Sequence, residues 1–271
     1  MLSPLAHIHP AARLASGVVV EPFTTIAGDV EIGEGTWIGP NVTIMDGARI
    51  GAHCQIYPGA VVSAVPQDLK FAGEITTAEI GDYSVLRECV TMNRGTAEAG
   101  RTVVGARCLV QAYVHVAHDC QVGSHCIISN AVQLAGHVRL GDWAIIGGTS
   151  AVHQFVSIGA HAFIGGGSLV RKDVPPFIKA AREPLAYAGI NSIGLRRRGF
   201  SEEQLRELHE IYRILFLSGL NLQDSLARVE AERPPTPERQ LVADFVRAAA
   251  RGIIRAPGGR LAVAEAEEEL D

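Results

Sequence analysis

Three histidines (His115, His118, His137) and an aspartate that directly follows one of them (Asp119) fall between Val114 and Gly141. A histidine beside a carboxylate can act as a general base, because the carboxylate holds the imidazole in one tautomer and stabilises the cation formed on proton uptake. Three imidazoles can instead hold a zinc ion. Gly136 follows His118 by 18 residues, and His137 follows Asp119 by 18. A glycine N–H held against such a base could take up the charge of an oxyanion. These spacings bring residues together only if the backbone returns to the same place every 18 residues.

The chain carries the signature of such a backbone. Steps of six from Leu2 land on Ile8, Leu14, Val20, Ile26, Ile32, Ile38, Ile44, Ile50, Ile56 and Val62. The beat returns at Ile80, Leu86 and Met92, and again from Val104 through Val116, Val122, Ile128, Leu134 and Leu140 to Val170. A period of six is neither helical nor the alternation of a lone strand; it is that of a hexapeptide parallel β-helix. Three hexads make one triangular coil, with the aliphatic residue and a small residue four positions later pointing inward. Glycines such as Gly33, Gly51, Gly105 and Gly123, each directly after a beat residue, are expected near the corners. Cys54, Cys108, Cys120 and Cys126 all fall four after a beat residue, so they read as core filler rather than as ligands. Outward histidines away from the cluster, such as His53, His125 and His161, are expected to be solvated.

The mainly β part is expected over residues 1–186, with loops at 63–79 and 93–103 where the beat fails and charge rises. A small α-helical domain is expected over 187–255. Ser201 opens a capping box, Leu222–Ala231 reads as a second helix, and Thr236-Pro237 starts a third. Residues 256–271 form an acidic tail expected to be disordered. The net charge of −5 gives no general attraction to nucleic acid. The five cysteines show no CxxC pair and fit a reducing, cytoplasmic setting. No signal peptide is evident at the N-terminus. Ala144–Val170 lacks charge but is broken by glycines, two histidines and a glutamine, so no transmembrane segment is expected.

The motifs QDLKFAGE, HVAHDC, LAGHV, IIGGTSAVHQF and GLRRRGFS, in this order, resemble the acyl-[acyl-carrier-protein]–UDP-N-acetylglucosamine O-acyltransferases. The resemblance runs from near the N-terminus to about Arg255. It implies a left-handed β-helix followed by a C-terminal helical domain. It also implies transfer of an (R)-3-hydroxyacyl group from acyl carrier protein to the 3-hydroxyl of UDP-N-acetylglucosamine, the opening step of lipid A synthesis. By the same resemblance His118 matches the general base, Asp119 its orienting residue and Gly136 the oxyanion donor. Asp68, Lys70, His115, His137, His153 and Gln154 match substrate contacts. Asn191, Arg197 and Arg198 match positions near the nucleotide and the phosphopantetheine, and Gly166 matches the position that limits acyl length. Two departures stand out: Ile193 where the family often has Glu, and the segment REPLAYAG at 182–189.

No resident cofactor is expected, since the phosphopantetheine arrives on the carrier protein, and no metal. A cleft on the flat outer face of a prism needs a second wall, so a homotrimer with sites between subunits is expected. The alternatives are a relative using a 3-amino UDP-sugar acceptor and a trimeric zinc enzyme of the γ-carbonic-anhydrase type. The second lacks an H-x-x-x-x-H among the three candidate histidines.

Overall fold

The computed structural model describes residues 1–257; the acidic tail from 258 onward lies outside the described residues. Strands of two to five residues follow one another at each hexad. His7–Ile8 opens a first sheet, Arg13–Leu14 a second and Val19–Val20 a third; Thr25–Ile26 then returns to pair parallel with His7–Ile8. Among the described residues repetition builds sheets of nine, eight and ten strands, visited in rotation as far as Leu169–Val170, the three faces of a left-handed parallel β-helix. The beat residues fill its interior: Ile26, Ile38, Ile56, Ile128, Leu134, Ile146 and Ile164 are all fully buried.

Two local rules shape each coil. The residue three after the beat turns the corner in the left-handed backbone region, as at His53 (φ 54°), Asp119 (61°), His137 (62°) and His161 (60°). Asp, Asn and His tolerate that region better than most non-glycine residues. The glycines after the beat lie near that corner, as expected, but outside its left-handed torsion. A Cβ on Gly33 would lie 2.5 Å from the Gly51 carbonyl carbon, and one on Gly105 2.6 Å from that of Gly123. They are needed where coil passes coil, not for their torsion.

The small inward residues four after the beat carry a hydrogen-bonding duty. Thr24 Oγ1 donates to the Gly39 carbonyl at 2.6 Å and accepts from Val42 N–H at 3.2 Å. Ser84 does the same for Gly105 and Cys108. The thiols of Cys54, Cys108, Cys120 and Cys126 donate to the carbonyls of Gly81, Gly123, Ala135 and Gly141. A buried carbonyl without a donor costs about 1–3 kcal/mol. The interior therefore takes Ser, Thr or Cys at corners that turn away from water, and the cysteines are structural, as expected.

Two excursions interrupt the coils. One covers 65–76, between strands Val61–Ala64 and Thr77–Ile80, and the other 94–100, between Thr91–Asn93 and Arg101–Val104. At the far end Ile178–Ala181 extends the third sheet and turns back antiparallel into Ala186–Ile190. The helices are α1 (Ser192–Arg197), α2 (Glu202–Leu217), α3 (Leu222–Glu232) and α4 (Pro237–Ala248). The Ser201 capping box and the Thr236 N-cap form as their sequences require, and Asn221 caps α3. Tyr212 of α2 is fully buried and donates to the Pro176 carbonyl, and its ring and that of Phe216 stack with Tyr187. This closes the end of the prism. Among the described residues no helix is long and apolar enough to cross a membrane.

Candidate active site

The strand His115–Val116 ends at the corner between the first and second sheets, and Ala117, His118 and Asp119 turn that corner. One coil later the same corner holds Gly136 and His137, and one more brings Gln154 and Phe155. The 18-residue return thus stacks Asp119 beneath His137 and sets the His118 ring on Gly136. A Cβ at position 136 would stand 2.7 Å from His118 Cε1 and 2.8 Å from Nε2. Only glycine leaves room for the imidazole there.

The Asp119 side chain is 0% exposed and that of His118 15%. Asp119 Oδ2 lies 2.9 Å from His118 Nδ1. A carboxylate can only accept, so Nδ1 carries the proton and Nε2 is left free to take one. Thr96 donates to the same carboxylate twice, from its N–H to Oδ1 at 2.9 Å and from Oγ1 to Oδ2 at 2.6 Å. Burial alone would push the Asp119 carboxyl up, but the Thr96 and His118 bonds outweigh it and hold the group below the usual carboxylate range. It is therefore a charged carboxylate at neutral pH. The His137 ring meets that of His118 edge to face at 5.2 Å and stacks on Phe155 at 4.4 Å. His137 Nε2 lies 3.6 Å from both Asp119 and Glu98. Among the described residues the Gly136 N–H has no acceptor, while its carbonyl takes the Phe155 N–H at 3.1 Å.

These groups face a cleft of about 710 Å³ whose lining includes Asp68, Lys70, Glu98, His118, His137 and Gln154. Asp68 shapes its loop, its Oδ1 accepting from Lys70 N–H at 2.9 Å. The structure thus gathers seven of the expected site residues: Asp68, Lys70, His118, His137 and Gln154 on the wall, with Asp119 and Gly136 behind them. Gly136 lies beneath His118. His115 and His153 stand on the flanks of the same corner and are not among the lining residues. His115 Nδ1 lies 2.7 Å from Thr91 Oγ1, and burial, then the nearby His118, keeps its pKa below that of a free imidazole.

His118, Asp119 and His137 each offer an atom within 4.8 Å of the others, the spacing of a possible ion site. Asp119 Oδ2 already accepts from both Thr96 Oγ1 and His118 Nδ1, and Oδ1 accepts from the Thr96 N–H, so the carboxylate is tied into the protein rather than left open. The donor set fits a held base better than a metal.

Gly166, Asn191, Arg197 and Arg198 are elsewhere. Gly166 follows Ile164 of the third sheet and so turns the corner between the third and first sheets. Asn191 caps α1, its Oδ1 accepting from Gly194 N–H while Nδ2 donates to the His161 carbonyl at 2.9 Å. Arg198 donates to His161 Nδ1 at 3.2 Å and lies 5.2 Å from the Trp143 ring centre. His161 belongs to the corner between the second and third sheets. It is not solvated as expected: it is half-buried between Trp143 and Phe177, ring centres 6.3 and 5.4 Å away. His125 stacks on the other face of Trp143 at 4.0 Å. These rings repeat at the same corner position, so the coil spacing forces them into a ladder. Sequence reasoning passed over this ladder, although its 18-residue spacing was visible. It also passed over Thr96 and Glu98, for which the non-repeating loop offers no signal.

Burial, and then the positive charge of Arg198, lower the His161 pKa to about 4. An unfolded imidazole titrates near 6.5. Between these values the unfolded chain binds the extra proton, so the contribution of His161 is complete above about 6.5 and declines as pH falls toward 4. Thermal unfolding across this window should show a falling midpoint, and His161→Phe, which keeps the stack and cannot protonate, should flatten that fall.

Known proteins match this chain over both parts. The family described as UDP N-acetylglucosamine O-acyltransferase, domain 2, matches residues 173–254, and the bacterial transferase hexapeptide family matches 29–64 and 101–136. The acyl-[acyl-carrier-protein]–UDP-N-acetylglucosamine O-acyltransferase of Sulfurihydrogenibium sp. is 58% identical over 93% of this chain and 93% of its own length. That of Thiobacillus denitrificans is 44% identical, over 94% of this chain and 99% of its own. The crystal structure of the UDP-N-acetylglucosamine acyltransferase from Bacteroides fragilis matches with a TM-score of 0.93 at 51% identity, covering 94% of this chain and 100% of that one. The structure of LpxA from Acinetobacter baumannii matches with a TM-score of 0.91 at 40% identity, covering 94% of this chain and 99% of that one.

Proposed function

This chain belongs to the acyl-[acyl-carrier-protein]–UDP-N-acetylglucosamine O-acyltransferases, and we propose that it performs the transfer with His118 as general base, Asp119 as the group that orients it, and the Gly136 N–H as oxyanion donor. The protein is an acyltransferase, moving an (R)-3-hydroxyacyl group from carrier protein to UDP-N-acetylglucosamine. The observation that carries the mechanism is the seat of the His118 imidazole on Gly136, with Nδ1 tied to a buried carboxylate and Nε2 free beside an unused backbone N–H.

In this reading Nε2 takes the proton of the sugar 3-hydroxyl as its oxygen attacks the thioester carbonyl carbon. The carbonyl oxygen becomes an oxyanion beside the Gly136 N–H. Collapse breaks the carbon–sulfur bond, and the imidazolium returns its proton to the departing pantetheine thiolate. The ester and the free thiol are the products, so the step is neither an oxidation nor a reduction. Lys70, which lines the cleft, would meet the negative charge of the nucleotide diphosphate. A Cβ at position 166 would stand 3.3 Å from the Gly148 carbonyl oxygen and 4.0 Å from the Gly147 carbonyl carbon. Glycine keeps this corner narrow, which suits a role in leaving room for the acyl chain. A reducing, cytoplasmic setting suits the five free cysteines.

The corner bearing His118 and the corner bearing His161 and Arg198 are different edges of one prism. A homotrimer would set one against the other and make each site from two copies. Leu69 and Ile75, fully exposed on the excursion that carries Lys70, are surfaces such a neighbour would cover. The test uses hydroxyacyl carrier protein of graded chain length with UDP-N-acetylglucosamine or its 3-amino analogue, and two inactive variants, His118→Ala and Arg198→Ala. Co-refolded in equal amounts, they should recover roughly a quarter of wild-type activity, the fraction of sites that draw both intact residues from different chains. A mixture that stays inactive would place the whole site within one subunit. Preference for the 3-amino sugar would change the acceptor while leaving the base in its role.

A further inference from the structure

Building on that reading, we propose that Thr96 is a positioning residue for the acyl transfer: the 94–100 excursion exists to brace Asp119, and through it His118, from behind. Thr96 itself is buried. Its two donors reach different oxygens of the carboxylate, at 2.9 Å from the N–H and 2.6 Å from Oγ1. Two donors on two oxygens fix both the place and the plane of a carboxylate, which one bond cannot do. A third contact holds the Asp119 backbone, whose N–H donates to Thr102 Oγ1 at 2.8 Å. Asp119 has a left-handed backbone and a fully buried side chain, so its direction is set by these partners rather than by solvent.

The brace is anchored in turn. Gly95, just before Thr96, donates its N–H to the Thr77 carbonyl at 3.0 Å, and its own carbonyl takes the Thr76 hydroxyl at 2.6 Å. A Cβ on Gly95 would lie 2.2 Å from Arg101 N, so the two ends of the excursion touch there and only glycine fits. The Thr96 carbonyl accepts from Gly100 N–H at 2.8 Å. The end of the first excursion thus holds the second, the second holds Asp119, and Asp119 holds the base. Glu98 on the same excursion stands 3.6 Å from His137 Nε2, so one loop reaches both histidines of the cleft.

Thr96→Val keeps the shape and the N–H but removes the hydroxyl. It should lower kcat roughly 10- to 100-fold, the scale of one hydrogen bond to a charged group, with KM for both substrates unchanged. Thr96→Ser should restore most of the rate. In an Asp119→Asn background, the same valine substitution should cost less than about twofold, since the carboxylate it serves is gone. Should the valine chain fail to fold, Thr96→Ala poses the same question with a smaller side chain. Wild-type kcat in a folded Val or Ala variant overturns the proposal, as does a serine variant that recovers nothing or a loss that persists undiminished beside Asp119→Asn. If His118→Ala is inactive while Thr96→Val is normal, the base stands and the brace falls; if His118→Ala turns over normally, the reading beneath the brace fails first.

Discussion

His118→Ala is expected to lower kcat by about 10²–10⁴-fold, the range for a positioned general base, while the protein unfolds at nearly the wild-type temperature. The imidazole sits on the outside of the prism, over Gly136, and contributes nothing to the aliphatic interior. Its removal does leave the buried Asp119 carboxylate one donor short, but Thr96 still supplies two. Steady-state turnover with hydroxyacyl carrier protein and UDP-N-acetylglucosamine, alongside a thermal melt, separates the two effects. A variant within a few-fold of the wild-type rate would remove His118 from the chemistry. His118→Gln should fare no better, since an amide can hydrogen-bond to Asp119 yet cannot take a proton at neutral pH.

Gly136→Ala is expected to cost about 10²-fold in kcat, comparable with other misplacements of a catalytic group by an ångström. The added methyl carbon would stand 2.7 Å from the imidazole and must push it from its seat. The N–H remains, so the loss reports the displaced base rather than a missing oxyanion donor. The backbone at this position lies outside the left-handed region, so alanine brings no torsional strain, and the folded state should survive. A crystal structure of the variant should show the His118 ring rotated or shifted; a normal rate with an unmoved ring would mean that the contact relaxes without consequence. Gly33→Ala offers a contrast, because there the clash is with backbone, 2.5 Å from the Gly51 carbonyl carbon, and stability rather than turnover should suffer.

The amino-acid order by itself determined the triangular coil, the interior residues and the stacking of His118 on Gly136 and of Asp119 beneath His137. A solenoid is nearly one-dimensional: each residue's place follows from its position in the hexad and from a count of 18, so local rules propagate without reference to distant parts of the chain. The same arithmetic puts Gly166 two strands out of step with His118, and so on another edge. What the count could not reach was decided by tertiary structure. Thr96 meets Asp119 because Gly95 and Thr77 pin an excursion that has no period. Asn191 is drawn inward to cap α1 and hold His161. His161 loses its water because the helical cap lays Arg198 and Phe200 over a ring already stacked between Trp143 and Phe177. Such contacts form where a buried acceptor or an open ring face finds a partner far away in the chain, and that choice belongs to packing energy, which no repeat encodes.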